Sequence, residues 1–219
     1  MTVPKEGIFA VYKPKGPTSN DVLKSIRKIA RTKKVGHAGT LDPLAEGVLV
    51  VGIGREATKK LKDVVKKEKE YIARIRFGIT SATDDEEGEK KTVLVSAVPS
   101  ETTVAQVIQN FKGSIRQKPP VYSAVKVGGK EAYKRARKGE TVELKERIVE
   151  VKDIEVLQYR WPYADIRVVT GPGVYIRALA RDVGEKLGTG GYLVSLQRTR
   201  IGVYTKDHSI AFSELKQGK

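Results

Sequence analysis

The sequence predicts an α+β fold, on three observations. Segments with apolar residues at helical spacing are separated by segments that alternate apolar and polar. The alternating runs have the half-exposed character of antiparallel strands, not the continuous apolar character of a buried parallel sheet. Helices fall between hairpin-like pairs of strands, without the strand–helix–strand cadence of a doubly wound design. With 219 residues and 39% apolar content, the chain can bury a real core as one large domain or two small ones.

Gly7 to Tyr12 reads as a short strand in which Ile8, Ala10 and Tyr12 alternate. Thr18, Ser19 or Asn20 is placed to cap a helix. Val22, Ile26, Ile29 and Ala30 then recur at helical spacing, with Lys24, Arg27, Lys28 and Arg31 on other faces, giving a basic-rimmed helix that runs to Lys33-Lys34. Val48 to Val51 is a buried strand. Gly52-Ile53-Gly54-Arg55-Glu56-Ala57 imitates a dinucleotide fingerprint. The next strand argues against that reading, because Tyr71, Ala73, Ile75 and Phe77 alternate as in an antiparallel strand. No acidic residue at its end could hold a ribose.

Residues 80–89 form an acidic turn without EF-hand spacing, read as a solvated hairpin loop. Pro99-Ser100 opens a helix with Val104, Val107, Ile108 and Phe111 on one face, closed by Gly113. Residues 119–130 are an irregular loop carrying Tyr122. Residues 130–138 are strongly basic around Tyr133, a composition that suits RNA or a solvated helix. Residues 147–170 read as successive strands turning at Trp161-Pro162-Tyr163. Ile176, Leu179, Ala180, Val183 and Leu187 mark a helix closed by Gly188. A late strand follows from Leu193 to Val203, then a short tail from Lys206 to Lys219. There is no internal repeat.

Charge narrows the partners. Lys and Arg number 42 against 26 Asp and Glu, a net +16. Such an excess favours a polyanion, most often nucleic acid. A lysine-rich, ion-paired surface is the alternative, but ion-pair networks nearly balance and an excess of sixteen does not. No run of ~18 apolar residues marks a membrane span. Residues 1–7 lack the basic start and apolar core of a secretory signal. The absence of cysteine excludes disulfides, Cys-zinc sites and thiol catalysis, and with no signal it points to a cytoplasmic location.

The chemistry concentrates in Val35-Gly36-His37-Ala38-Gly39-Thr40-Leu41-Asp42-Pro43. Glycines let a ligand approach closely, and Pro43 pushes Asp42 towards extended geometry. A lone carboxylate on such a loop is a candidate nucleophile or base. The competing reading is a turn whose Asp bonds its own backbone.

The segment from Gly36 to Pro43 resembles the active-site motif of the TruB family of tRNA pseudouridine synthases. Lys13-Pro14-Lys15-Gly16-Pro17-Thr18-Ser19 resembles that family's other N-terminal motif. The likeness continues through Pro119-Pro120-Val121-Tyr122-Ser123-Ala124-Val125-Lys126 and Gly173-Val174-Tyr175-Ile176-Arg177. It ends near Leu196-Gln197-Arg198-Thr199-Arg200-Ile201-Gly202. Five matches in order cover roughly residues 7 to 204.

The resemblance implies a pseudouridine synthase fold, with a central, largely antiparallel sheet, flanking helices and an active-site cleft. It implies a catalytic domain over residues 1–205 and a short tail over 206–219, without room for the RNA-binding PUA-type domain that bacterial members usually carry. Asp42 matches the essential carboxylate and Arg177 the guanidinium that pairs with it. Tyr71 matches a stacking tyrosine, Tyr175 a second pocket tyrosine and Leu196 an apolar pocket wall. His37 matches a histidine that contacts the RNA. The implied reaction converts the T-loop uridine at position 55 of tRNA to pseudouridine. It uses no metal, nucleotide or redox cofactor, involves no membrane, and is carried out by a monomer. Two alternatives share the charge: a non-catalytic RNA-binding or chaperone protein, and a synthase acting on another RNA.

Overall fold

The structure, a computed structural model, describes residues 3–215. The reading of residues 1–2 and of the last four residues of the expected tail lies outside the described residues. The chain divides into two compact units. One combines the segment ending at Ile72 with the segment beginning at Leu196, and the other is Ala73–Ser195.

The first unit opens with β1 (Gly7–Lys13), followed by α1 (Ser19–Ile29). Of the three possible caps, Thr18 does the work. Its hydroxyl accepts from the Asp21 backbone N–H while the Asp21 carboxylate accepts from the Thr18 N–H, a reciprocal capping box. α1 buries Ser19, Val22, Leu23 and Ile26. It stops at Ile29 instead of reaching Lys33-Lys34, because Arg31 adopts a left-handed conformation (φ 51°) and turns the chain. Residues 33–34 lead into β2 (Val35–His37), which pairs antiparallel with β3 (Ala45–Ile53). α2 (Arg55–Val65) follows, then β4 (Lys69–Phe77), whose first four residues belong to this unit. The β3–α2 turn that imitates a dinucleotide fingerprint follows a strand paired antiparallel to β1, which no βαβ nucleotide fold provides.

The second unit takes up β4, where Ala73, Ile75 and Phe77 alternate inward as the sequence predicts. β5 (Ile79–Ser81) and β6 (Lys90–Thr92) form a hairpin. α3 (Glu101–Gln109) is capped by Ser100 and buries Val104 and Ile108. β7 (Gly113–Gln117) follows, then a small hairpin of β8 (Lys126–Val127) and β9 (Lys130–Glu131). The basic stretch becomes the short α4 (Ala132–Ala136), seated on a small cluster of Ala132, Val142 and Leu144. β10 (Arg147–Arg160) and β11 (Tyr163–Thr170) pair antiparallel about the expected turn. α5 (Ile176–Lys186) and the start of β12 (Gly191–Ile201) complete the unit. Its sheet runs β4-β11-β10-β7. α5 lies so close to its neighbours that a Cβ on Gly184 would sit 2.3 Å from the Gly190 backbone. Only glycine fits there.

From Leu196 the chain is back in the first unit, where β12 pairs parallel with β3, Leu196 opposite Ala45. β13 (Tyr204–Thr205) pairs with β12, and β14 (Ile210–Ala211) lies parallel beside β1. The expected tail, as far as it is described, is therefore part of the sheet, in the order β14-β1-β3-β12. The unit's core joins Ala10, Val48, Val50, Leu61, Val64 and Ile201 with Ala38 of the Asp42 loop. Burying each Val, Leu or Ile of this cluster contributes roughly 1.5–3 kcal/mol, and Ala38 packs the loop against them. No helix among the described residues is long and apolar enough to cross a membrane.

Candidate active site

The Asp42 loop joins β2 to β3 and is fastened along its length. The Ala38 N–H donates to Val50 O (2.9 Å), and the Ala45 N–H to Asp42 O (3.1 Å). Ser19, buried at the start of α1, donates its hydroxyl to Leu41 O (2.9 Å) and accepts from the Leu41 N–H (2.8 Å). The Gly16 N–H donates to Pro43 O (2.8 Å). The first sequence motif thus acts as a clamp on the second.

Three buried cations surround this loop. Arg198, 1% exposed, donates Nε to Val48 O (2.8 Å), Nη1 to Thr40 O (3.4 Å) and Nη2 to Gly39 O (3.1 Å). Its guanidinium also hydrogen-bonds the Tyr71 side chain and feels the Asp42 charge. Gly47 lies against the Arg198 backbone, and a Cβ there would stand 2.2 Å from Arg198 O. Lys13, fully buried, donates Nζ to Pro14 O and Pro17 O (both 2.8 Å), while Asp42 acts on its charge. Lys69 donates Nζ to Val65 O and Lys67 O (both 2.8 Å).

Burial disfavours all these charges. It brings Lys13 down to about 8, against the opposing pull of Asp42 and with help from Arg198. Burial, then Arg198, brings Lys69 down to about 8. Burial also lowers His37, and Arg198 adds to the effect. His37 hydrogen-bonds the Gly39 backbone and leaves Nδ1 buried without a partner among the described residues. Burial raises the Tyr71 phenol despite Arg198, keeping it neutral. Asp42 is thus the carboxylate within the field of Lys13 and Arg198, on a loop that hydrogen bonds keep from moving.

The second unit holds a different cluster. Arg177, in the first turn of α5 and 6% exposed, donates Nη1 to Asp85 Oδ2 and Thr83 O (both 3.2 Å) and Nη2 to Tyr122 O (2.8 Å). Arg181, one turn on, donates to Asp84 Oδ2 (2.8 Å) and to Asp182 Oδ1 (2.7 Å). The acidic turn joins the β5–β6 hairpin as its composition suggested, with Glu86, Glu87 and Glu89 exposed, but Asp85 is 3% exposed and points inside. Two arginines of α5 pair with two of its carboxylates, Arg177 with Asp85 and Arg181 with Asp84. Gln117 pins the residue before α5, exchanging hydrogen bonds with the Tyr175 backbone (2.9 and 3.1 Å). The Arg147 guanidinium lies 5.1 Å from the Tyr175 ring centre.

Of the predicted site residues, the first unit brings together Asp42, Tyr71 and His37 through their shared neighbour Arg198. Leu196, 9% exposed, lies two residues before Arg198 on β12. Tyr175 and Arg177 lie two residues apart in the second unit, and Arg177 is buried. Sequence reasoning missed Lys13, Lys69, Arg198 and Asp85. Lys13 and Arg198 lay inside recognised motifs; for Lys13, a charged residue ending the otherwise apolar run of β1 was the available signal, and Arg198 stands among polar neighbours that gave none.

Comparison with known proteins adds a second line. Residues 27–176 match the TruB family pseudouridylate synthase N-terminal domain, and residues 177–218 match the tRNA pseudouridylate synthase B C-terminal domain. The chain is 44% identical over 221 residues to tRNA pseudouridine synthase B of Corynebacterium diphtheriae, covering 96% of this chain and 72% of that protein. It is 46% identical over 218 residues to the same-named protein of Thermobifida fusca, covering 96% and 74%. Among solved structures, a Cbf5-Nop10-Gar1 complex contains a chain similar at 33% identity and a TM-score of 0.73, covering 94% of this chain and 52% of that one. An H/ACA RNP bound to a substrate RNA contains another at 30% and 0.71, covering 95% and 52%. The chain thus spans about half the length of those two.

Proposed function

The chain belongs to the TruB family of pseudouridine synthases, and we infer from this that it isomerises uridine to pseudouridine in tRNA. The target we propose is the T-loop uridine at position 55, modified by a monomer in the cytoplasm. The reaction breaks the bond from C1′ to N1 of the base, rotates the base, and forms a bond from C1′ to C5; C5 then loses its proton and N1 gains one, so product and substrate are isomers. Nothing is oxidised or reduced and no group leaves the RNA, so the chemistry calls for no cofactor.

Asp42 is the proposed catalytic carboxylate. The observation that carries this reading is the clamped loop: Ser19, Gly16 and Arg198 fix residues 39–43 from three sides. Whether a carboxylate attacks the base, attacks the sugar or removes a sugar proton, it must be ionised. The fields of Lys13 and Arg198 favour that form. Arg177 is proposed as the cation partner of Asp42, as the family resemblance implies.

The target base must leave its stack, at a cost of a few kcal/mol. An aromatic platform returns about 1–3 kcal/mol per stacked base. We assign that platform to Tyr71, with Tyr175 and Leu196 as pocket walls and His37 as an RNA contact. Neutral His37 offers hydrogen bonds without adding charge beside the carboxylate.

The test is mass spectrometry of an unmodified tRNA transcript after incubation, with a chemical label for pseudouridine. One labelled site at position 55, absent from a transcript carrying cytidine there, is the expected result. Binding without any product would make the chain a non-catalytic RNA binder. Product only in other RNAs would move the substrate class.

A further inference from the structure

The tip of the β10–β11 hairpin carries a second feature, built from residues the catalytic reading does not use. A cavity of about 350 Å³ is lined by Arg74, Gln158, Arg160, Trp161, Tyr163 and Asp165. That volume lies at the small-ligand end of the usual range for binding pockets. Its two aromatic walls are held in place. Trp161 stacks on the buried ring of Phe77, with centroids 6.4 Å apart and planes 13° from parallel. Tyr163, 38% exposed, lies within 6.0 Å of the Arg74 guanidinium and 5.7 Å of that of Arg76.

The charge is arranged unevenly. Arg74 is held by Asp165 through two hydrogen bonds of 2.7 Å, so its charge is largely answered. Arg160 is exposed on the same rim, a cation without a carboxylate of its own among the described residues. Gln158 adds an amide that both donates and accepts. Fixed aromatic faces, an unanswered guanidinium and an amide form the combination by which proteins hold an unstacked base and its phosphate.

We propose that this pocket is a nucleotide subsite that takes one unpaired nucleotide of the substrate RNA, distinct from the target uridine. The base lies against Trp161 and Tyr163, and its phosphate meets Arg160. The proposal rests on the assigned RNA substrate and adds a second point of attachment, which acts on affinity and not on the chemical step.

The chain supplies its own reporter, because Trp161 is its single tryptophan. Base stacking on Trp161 should quench its emission, so tRNA titrated into the wild-type protein should give a saturable quench. Arg160→Glu should weaken tRNA binding about tenfold and lower the slope of log affinity against log salt by about 1. Tyr163→Ala should weaken binding by a similar factor, and Tyr163→Phe should restore it. In each variant the single-turnover rate at saturating tRNA should stay at the wild-type value. Unchanged Trp161 emission at saturating tRNA would overturn the proposal. So would Arg160→Glu and Tyr163→Ala variants that bind tRNA with wild-type affinity. Pseudouridine formation measured on the same preparations separates this outcome from a failure of the assigned activity, since a chain that binds tRNA without modifying it can still show the quench.

Discussion

The two units bury arginine and lysine in opposite ways. In the second, Arg177 and Arg181 enter with carboxylates, Asp85, Asp84 and Asp182, so the charge is balanced locally. In the first, Lys13, Lys69 and Arg198 donate chiefly to backbone carbonyls. Carbonyls satisfy the donors but leave the positive charge uncancelled, and Asp42 lies within that field. A buried charge is expensive unless it is paired or hydrogen-bonded. The second cluster meets that demand chiefly with ion pairs. The first meets it with dipoles, which keeps a net field available for chemistry.

The sharpest way to break this contrast is Asp42→Asn. It should reduce single-turnover pseudouridine formation below detection while tRNA affinity stays within a few-fold, since one neutralised charge changes little beside +16. A tenth of the wild-type rate in this variant would remove Asp42 from the reaction.

Arg198→Lys comes next. Lysine keeps the charge but cannot bond Val48, Thr40 and Gly39 together, so the loop is released. A displacement of ~1 Å at a reacting group costs on the order of a hundredfold. The saturating rate should fall about that far, while the KM for tRNA changes little. A KM effect alone would mean that Arg198 holds RNA and not the loop. For Tyr71, phenylalanine is the informative substitution. Its ring is 6% exposed and its hydroxyl bonds Arg198, so Tyr71→Ala leaves a cavity and should lower the melting temperature. Tyr71→Phe keeps the ring, and its rate isolates the work of the hydroxyl.

A pH series sharpens the comparison, because the clusters respond with opposite signs. Lys13 and Lys69 titrate at about 8 in the folded chain against 10.5 when free, so the unfolded chain binds more protons between those values. Their share of stability therefore rises from pH about 8 to 10.5. Activity should move the other way over the same window, as Lys13 loses the charge that acts on Asp42, and Lys13→Met should flatten that alkaline limb. In the second unit, burial lifts Asp84 to about 6 in spite of Arg181. The folded chain then binds more protons between pH 3.8 and about 6, so this contribution is lost as pH rises through that range. The smallest expected effect follows: Asp84→Asn should gain on the wild type in thermal stability as pH goes from 4 to 6. A variant that instead loses ground to the wild type over that range would show that the ion pair, not burial, governs this carboxyl.

Much of this could be read in the sequence wherever the causes are local. The Thr18 cap, the alternation of β4, the turn at Trp161 and the helix begun at Ile176 each depend on neighbours a few residues away. The Asp85 turn could not be read that way. Four consecutive carboxylates look solvated until Arg177, 92 positions after Asp85, arrives to bury one of them. Arg198 had the same problem, being one more basic residue in a basic chain until its partners at 39, 40 and 48 are known. The long-range pairing of β14 with β1 left no periodic trace, because two residues are too few to show one.

The discontinuity of the first unit has a consequence for how the protein is made. Residues 73–195 form one uninterrupted stretch, whereas the Asp42 loop waits for Arg198 and for the pairing of β12 with β3. At translation rates of about 5–20 residues per second, the 126 residues between positions 72 and 198 take roughly 6–25 s to synthesise. During that interval the catalytic segment exists as chain but not as a site. The strand that completes it follows the whole second unit, so a nascent protein holds its carboxylate in place only once residue 198 has left the ribosome.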